Sequence, residues 1–169
     1  MAEGIAASTL RVHLRWMIVR DLPEVLAMEA ASFDSAWTEA DFRKVMRQRN
    51  TLGTVAVAYR ASNPAPVFRG APDEAVVGYL IYGLHRNYYE LLNFAVDPRC
   101  RRRGIGRQLI EKFTGKLRPG LRRSVRLVVR DGNLPAQLFF RALGFRATGV
   151  LRGYYERLDE DGYRMEYRV

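Results

Sequence analysis

The sequence predicts a single α/β domain, a mixed sheet flanked by helices, with elements in the order β-α-α-β-β-β-α-β-α-β-β. Three observations predict it. The chain has 169 residues, enough for one domain with a real core. Its apolar residues switch repeatedly between period-two alternation and helical spacing, as strands and helices exchange along the chain. No internal repeat and no change of composition divides it. One domain is therefore expected over residues 10–169, behind a flexible start at residues 1–9.

The elements follow in order. Val12, Leu14, Trp16 and Ile18 alternate, so Arg11 to Val19 predicts a strand. Asp21-Leu22-Pro23 opens a helix, with Asp21 as N-cap and Pro23 in the first turn. Its expected apolar stripe is Val25, Leu26, Met28 and Ala31. Thr38-Glu39-Ala40-Asp41 opens a second helix as a capping box with Asp in place of Glu, and Phe42, Val45 and Met46 form its stripe. Thr54–Tyr59 is β-rich, and Ala61–Asp73, with three prolines and a glycine, predicts a long hairpin loop. Ala75–Leu84 and Glu90–Val96 are the next strands. A helix then runs from Gly104 to about Leu117 and stops near Pro119-Gly120. Ser124–Val129 is an apolar strand, and the helix starting at Asn133-Leu134-Pro135 ends at Gly144. Phe145–Leu151 and Tyr163–Val169 close the chain as strands.

Composition removes several function classes. There is no run of 18 apolar residues, so no membrane helix is expected. The N-terminus lacks a basic-then-apolar secretory layout, and a cytoplasmic protein is expected. One cysteine, Cys100, excludes an internal disulfide and a cysteine metal cluster. With only His13 and His85, no metal site is expected. The formal net charge of +10 favours anionic partners. Neither a recognition helix nor an aromatic RNA-binding motif accompanies it, so nucleic acid is a poor fit.

The chemistry concentrates in Val96-Asp97-Pro98-Arg99-Cys100-Arg101-Arg102-Arg103-Gly104-Ile105-Gly106-Arg107. An apolar strand feeds a basic turn that leads into a helix. The first N–H groups of a helix have no partner within it, and the helix dipole places positive charge at that end. Glycines let a phosphate approach the backbone, and arginines add forked donors. The stretch reads as a pyrophosphate cradle. It is not a P-loop, since the Gly-Lys-Ser/Thr ending is missing, nor a dinucleotide fingerprint, since Leu109 stands at the third glycine position.

Arg101-Arg102-Arg103-Gly104-Ile105-Gly106 resembles the Arg/Gln-x-x-Gly-x-Gly/Ala signature of the GCN5-related N-acetyltransferases, and the element order is theirs. Asn133-Leu134-Pro135-Ala136 followed by Leu143-Gly144-Phe145 matches a second family segment. Ala31-Ser32-Phe33, Trp37-Thr38 and Gly153-Tyr154-Tyr155 are similar to the branch that acetylates protein N-termini. The resemblance implies acetyl-CoA as acetyl donor, gripped at the pyrophosphate by Arg101, Arg102, Arg103, Gly104, Ile105, Gly106 and Arg107. It also implies pantetheine paired with the backbone of Phe94, Ala95 and Val96, with Asn133 on the opposite wall. The acceptor is a primary amine, either a peptide N-terminus or a small molecule; a CoA-binding module without catalysis is the alternative. Oligomeric state stays open, a dimer included.

Acetyl transfer needs a base to take a proton from the ammonium and an N–H to meet charge developing on the carbonyl oxygen. In the N-terminal branch a glutamate stands two residues before the arginine that is here Arg130, and a tyrosine four before the helix-ending glycine. This chain has Val128 and Phe140 there, and neither transfers protons. Glu90, fourteen residues before Gly104, matches the spacing of the glutamate base in the histone-acetylating branch. Glu90 is the expected base, with His85 as a lesser candidate. Tyr155, with Tyr154 and Tyr88 beside it in rank, is the candidate proton donor or acceptor-binding ring.

Overall fold

The structure, a computed structural model, describes residues 11–59 and 74–169. The expected flexible start at 1–9 and the expected loop at 61–73 lie outside the described residues. Seven strands form one sheet: β1 His13–Trp16, β2 Thr51–Tyr59, β3 Glu74–Leu84, β4 Tyr88–Val96, β5 Ser124–Arg130, β6 Arg146–Tyr155 and β7 Glu160–Arg168. The helices are α1 Leu22–Ser32, α2 Glu39–Met46, α3 Ile105–Thr114 and α4 Leu134–Ala142. The element order is the expected one, and the sheet order is β1-β2-β3-β4-β5-β7-β6.

Several boundaries move for local reasons. β1 stops at Trp16 because the chain turns through a 3-10 segment, Val19–Asp21. Asp21 does not cap α1 with its side chain. Its carboxylate instead accepts the Ile18 N–H and both terminal nitrogens of Arg15, each at 2.8 Å. The Thr38–Asp41 capping box forms as expected, with Asp41 N–H donating to Thr38 Oγ1 at 3.2 Å and Thr38 N–H to Asp41 Oδ2 at 2.8 Å. α3 ends at Thr114, short of Leu117, with Gly115 as its C-cap. β6 runs on to Tyr155 and β7 starts at Glu160, so the last hairpin is tighter than its sequence predicts. β6 is an edge strand exposed almost throughout, so no apolar alternation marks its length.

The sheet is covered on both faces. α1 and α2 bury Val25, Met28 and Phe42 against Val55, Val57, Tyr79 and Ile81. On the opposite face α3 buries Ile105, Leu109, Ile110 and Phe113 against Leu80, Tyr82 and Leu127. Strands β1 to β4 pair antiparallel. β4 and β5 run parallel but pair only at Tyr88, Tyr89 and Glu90, opposite Ser124, Val125 and Arg126. Beyond Glu90 the two strands part, and the cleft between them ends at the start of α3.

Candidate active site

The register of β4 slips between Ile81 and Tyr82 of β3: Asn93 faces Ile81, Leu91 faces Tyr82, and Leu92 is the extra residue. Such a bulge re-aims the residues that follow it. Asp97 N–H donates to the Val77 carbonyl at 3.0 Å, so by alternation Ala95 also points into the β3 ladder. Phe94 and Val96 therefore turn their backbone groups toward the cleft. On the far wall, Asp131 N–H donates to the Asp161 carbonyl of the β7 side at 3.0 Å, which turns Val128 and Arg130 toward the cleft. The cleft is thus walled by backbone donors and acceptors without a ladder partner, the arrangement an extended amide chain would complete as an added strand.

At the wide end, Gly104 is the N-cap of α3 and sits at φ +79°. A side chain there would be strained. Gly106 is constrained by packing: a Cβ would meet Phe139 Cζ at 3.2 Å and Phe94 Cζ at 3.3 Å. These two rings stack 5.7 Å apart. Arg102 is itself at φ +59°, within the turn. Arg101 turns back instead: its Nε donates to the Val96 carbonyl at 3.1 Å and its Nη2 to Ser32 Oγ at 2.9 Å. Its side chain ties the turn to β4 and α1. Asn133 caps α4, its Oδ1 accepting from Ala136 N–H at 3.1 Å. That leaves the amide NH2 of Asn133 as a donor on the β5 side.

At the narrow end stands Glu90, in the last ladder position before the strands part, opposite Gly83 of β3 and Arg126 of β5. Its carboxylate accepts from His85 Nε2 at 2.9 Å and is about one-third exposed, at 38%. His85 and Glu90, read separately in the sequence, form one pair. The His85 ring stacks on Tyr88 at 4.3 Å, and the Arg126 guanidinium covers that tyrosine at 4.1 Å. Tyr155 reaches the opposite wall: its hydroxyl donates to the Val128 carbonyl at 3.1 Å. Burial and the neighbouring Tyr154 push the Tyr155 phenol up to about 12, so it stays protonated at any physiological pH. Burial and the charge of Glu90 raise the Tyr154 phenol, against the pull of Arg164. Ser35, Tyr154, Tyr155, Glu156, Arg157 and Leu158 line an adjacent open depression of about 230 Å³ between the α1–α2 loop and the last hairpin. Phe140 is core, ring against ring with Phe94, Phe139 and Phe145.

One buried group escaped the sequence reading. Glu29, 1% exposed, lies on the inner face of α1 where Leu22, Val25 and Met28 are also buried, while Ala31 of the expected stripe is exposed. Its carboxylate accepts from the Tyr79 hydroxyl, from Asn93 Nδ2 at 3.1 Å and from Trp37 N–H at 2.7 Å. Burial first, and then the charge of Glu29, hold the Tyr79 phenol well above the usual range, so it remains a donor. One side chain thereby ties the α1–α2 loop to the β4 residue next to the bulge. The signal in the sequence was a charge at helical spacing within an apolar stripe. Glu29→Ala would take the acceptor from the part-buried Trp37 N–H and Asn93 Nδ2 and leave the buried Tyr79 hydroxyl with Asn93 Oδ1 at 3.2 Å, a net cost of about 1–3 kcal/mol. Chemical denaturation should show a loss of about 1–3 kcal/mol; an unchanged midpoint would contradict the network.

A cleft between two parted strands that ends at a glycine-capped helix N-terminus fits the proteins that move an acyl group carried on coenzyme A. The chain belongs to the Acetyltransferase (GNAT) family, whose model matches residues 22–145. It is 38% identical over 77 residues to the N-alpha-acetyltransferase RimI of Mycobacterium tuberculosis, a match spanning 46% of this chain and 47% of that protein. The chain thus spans about half the length of that relative. A Bacillus subtilis protein provisionally named as a ribosomal protein bS18-alanine N-acetyltransferase is 24% identical over 155 residues, 92% of this chain and 94% of its own. Among solved structures, Ard1 from Thermoplasma volcanium superposes with a TM-score of 0.76 at 27% identity, over 94% of this chain and 97% of that one. No helix among the described residues is long and apolar enough to cross a membrane.

Proposed function

We propose that this protein is an acetyl-CoA-dependent N-acetyltransferase acting on the α-amine of a protein N-terminus, in the cytoplasm. The single observation that carries this reading is the cleft between β4 and β5, with the α3 cradle at one end and the Glu90–Tyr154–Tyr155 group at the other. Family membership and relatives named for N-terminal and alanine acetylation support it.

In this reading the N–H groups at the start of α3, with Arg102, Arg103 and Arg107, hold the pyrophosphate. Pantetheine lies along Phe94 and Val96, with the Asn133 amide opposite. The acceptor enters by the depression at Ser35 and Tyr154. Glu90 takes a proton from the ammonium, directly or through water, while His85 donates to its other side and orients it. The freed amine attacks the thioester carbonyl, and the Phe94 N–H faces the oxygen as charge develops there. The tetrahedral adduct then collapses with loss of the CoA thiolate, whose conjugate thiol has an ordinary pKa of ~8.5; the proton left on the amide nitrogen passes to that thiolate through water, so no strong acid is needed. The Tyr155 hydroxyl, held on the β5 wall, positions the acceptor.

The test is incubation of the protein with acetyl-CoA and a set of peptides with free N-terminal alanine, following released thiol and the mass of the peptide. Thiol release coupled to acetylation of the α-amine is expected. CoA binding in calorimetry without acetylation of any peptide or small amine would leave a binding module in its place.

A further inference from the structure

Strands β5 and β7 carry alternating residues onto the sheet face that also bears Glu90, and α1 and α2 do not cover this part of it. On that face Arg126 pairs with Glu166 at 3.2 Å, and Arg168 shares the same carboxylate at 3.2 Å. Arg164 differs. It stands directly opposite Val128 on one side and Gly149 on the other, and neither can answer a charge. Its side chain is exposed, and its guanidinium has no hydrogen bond or ion pair with the described residues. Val128 is apolar, which leaves the facing arginine uncompensated beside the cleft.

The surroundings define what could pair with it. Val128 packs so closely on Gly162 that a Cβ there would meet Val128 Cγ1 at 2.5 Å, and the same Cβ would meet Tyr154 Cβ at 3.2 Å. Tyr154 therefore lies over this patch, half exposed at 50%, edge-on to Tyr155 at 5.0 Å. Its phenol feels a negative charge from Glu90 and a positive one from Arg164. A carboxylate suited to an ammonium and a guanidinium suited to a carboxylate thus stand on one sheet face, on β4 and β7, with Tyr154 over Gly162 beside Arg164.

We propose that Arg164 is a specificity-determining residue that receives a carboxylate of the acceptor, so that the preferred substrate is a peptide whose free N-terminal amine is followed within the first few residues by Asp or Glu. This rests on the N-acetyltransferase reading. The amine goes to Glu90 and the carboxylate to Arg164, with Tyr154 beside the arginine. Binding the anion answers a charge that the fold itself leaves open, and a forked guanidinium fixes the orientation of a carboxylate as well as attracting it. A lysine near the acceptor's N-terminus would meet Arg164 as a like charge, which adds discrimination by repulsion.

The test uses one peptide scaffold with N-terminal alanine and Asp, Glu, Ser or Lys at the second or third position, plus free aspartate, at saturating acetyl-CoA. The acidic peptides should exceed the lysine peptides in kcat/KM by about tenfold or more, the scale of one charge-assisted contact. Arg164→Ala should erase the preference. Arg164→Glu should invert it in favour of lysine, a gain that misfolding cannot produce, while the KM for acetyl-CoA stays put. A wild type indifferent to charge, or an Arg164→Glu protein with the wild-type preference, would overturn the proposal. Faster acetylation of free aspartate than of any peptide would keep Arg164 as the carboxylate receptor and overturn the peptide as its source. If no peptide is acetylated, the enzymatic reading fails separately. Calorimetric titration of the same peptides into CoA-saturated protein then decides on Arg164, with equal affinity for acidic and basic peptides counting against it.

Discussion

Glu90→Gln should lower kcat by about 10²–10⁴-fold, the usual scale for losing a general base. The amide keeps the shape of the side chain, and its oxygen still accepts from His85 Nε2, as the carboxylate does at 2.9 Å. Only basicity is removed. Affinity for CoA should be unchanged, because the cradle lies beyond the other end of β4. A pH profile supplies a second readout, because the amide of the variant carries no ionisable group where the wild type has one. The Tyr155 phenol, held near 12, contributes no limb in the physiological range. Full activity of Glu90→Gln across pH would show that another group, or bulk water, deprotonates the amine.

Gly104→Val should abolish measurable CoA binding while the domain stays folded. The residue sits at φ +79°, which a β-branched side chain resists, at roughly 1–2 kcal/mol for a residue forced into left-handed backbone. The buried face of α3, with Ile105, Leu109, Ile110 and Phe113, is enough to keep the helix docked. The added methyl groups would stand where the phosphate must approach the first N–H groups. Losing two charge-assisted hydrogen bonds at about 1.5–3 kcal/mol each corresponds to about 10²–10⁴-fold in affinity. Calorimetry with CoA, alongside a circular dichroism spectrum unchanged from the wild type, reads this directly. Gly104→Ala should fall between the two. Wild-type affinity in Gly104→Val would place the pyrophosphate elsewhere.

Helices and interior strands were legible because each shows a strong pattern. α3 alternates buried and exposed residues at helical spacing, and the capping box at Thr38 marks the start of α2 through residues three apart. The two edges of the sheet were harder. β1 is short because Asp21 draws Ile18 and Arg15 into a turn, a contact between residues that no periodicity describes. β6 extends to Tyr155 because β7 pairs with it, and pairing leaves no mark on an exposed strand. In the site, the glycine-capped start of α3 was legible because backbone conformation restricts residue type. The side-chain roles were less so. Arg101 reads as one more basic residue of the cradle, yet its guanidinium closes on Val96 and Ser32, which is 69 positions away.

By itself, then, the sequence determined the order of elements, the glycine-capped start of α3, and the lack of proton-transferring side chains at Val128 and Phe140. Each of these depends on short-range spacing or on residue identity. Tertiary structure decided the rest. It placed the parting of β4 from β5 just after Glu90, joined Glu90 to His85, buried Glu29 among Tyr79, Asn93 and Trp37, and set Arg164 against Val128. These follow from strand register and from packing between segments far apart in the chain. Moving a strand by one residue would send each side chain to the opposite face of the sheet, so the charges that meet at the site are chosen by the assembled sheet.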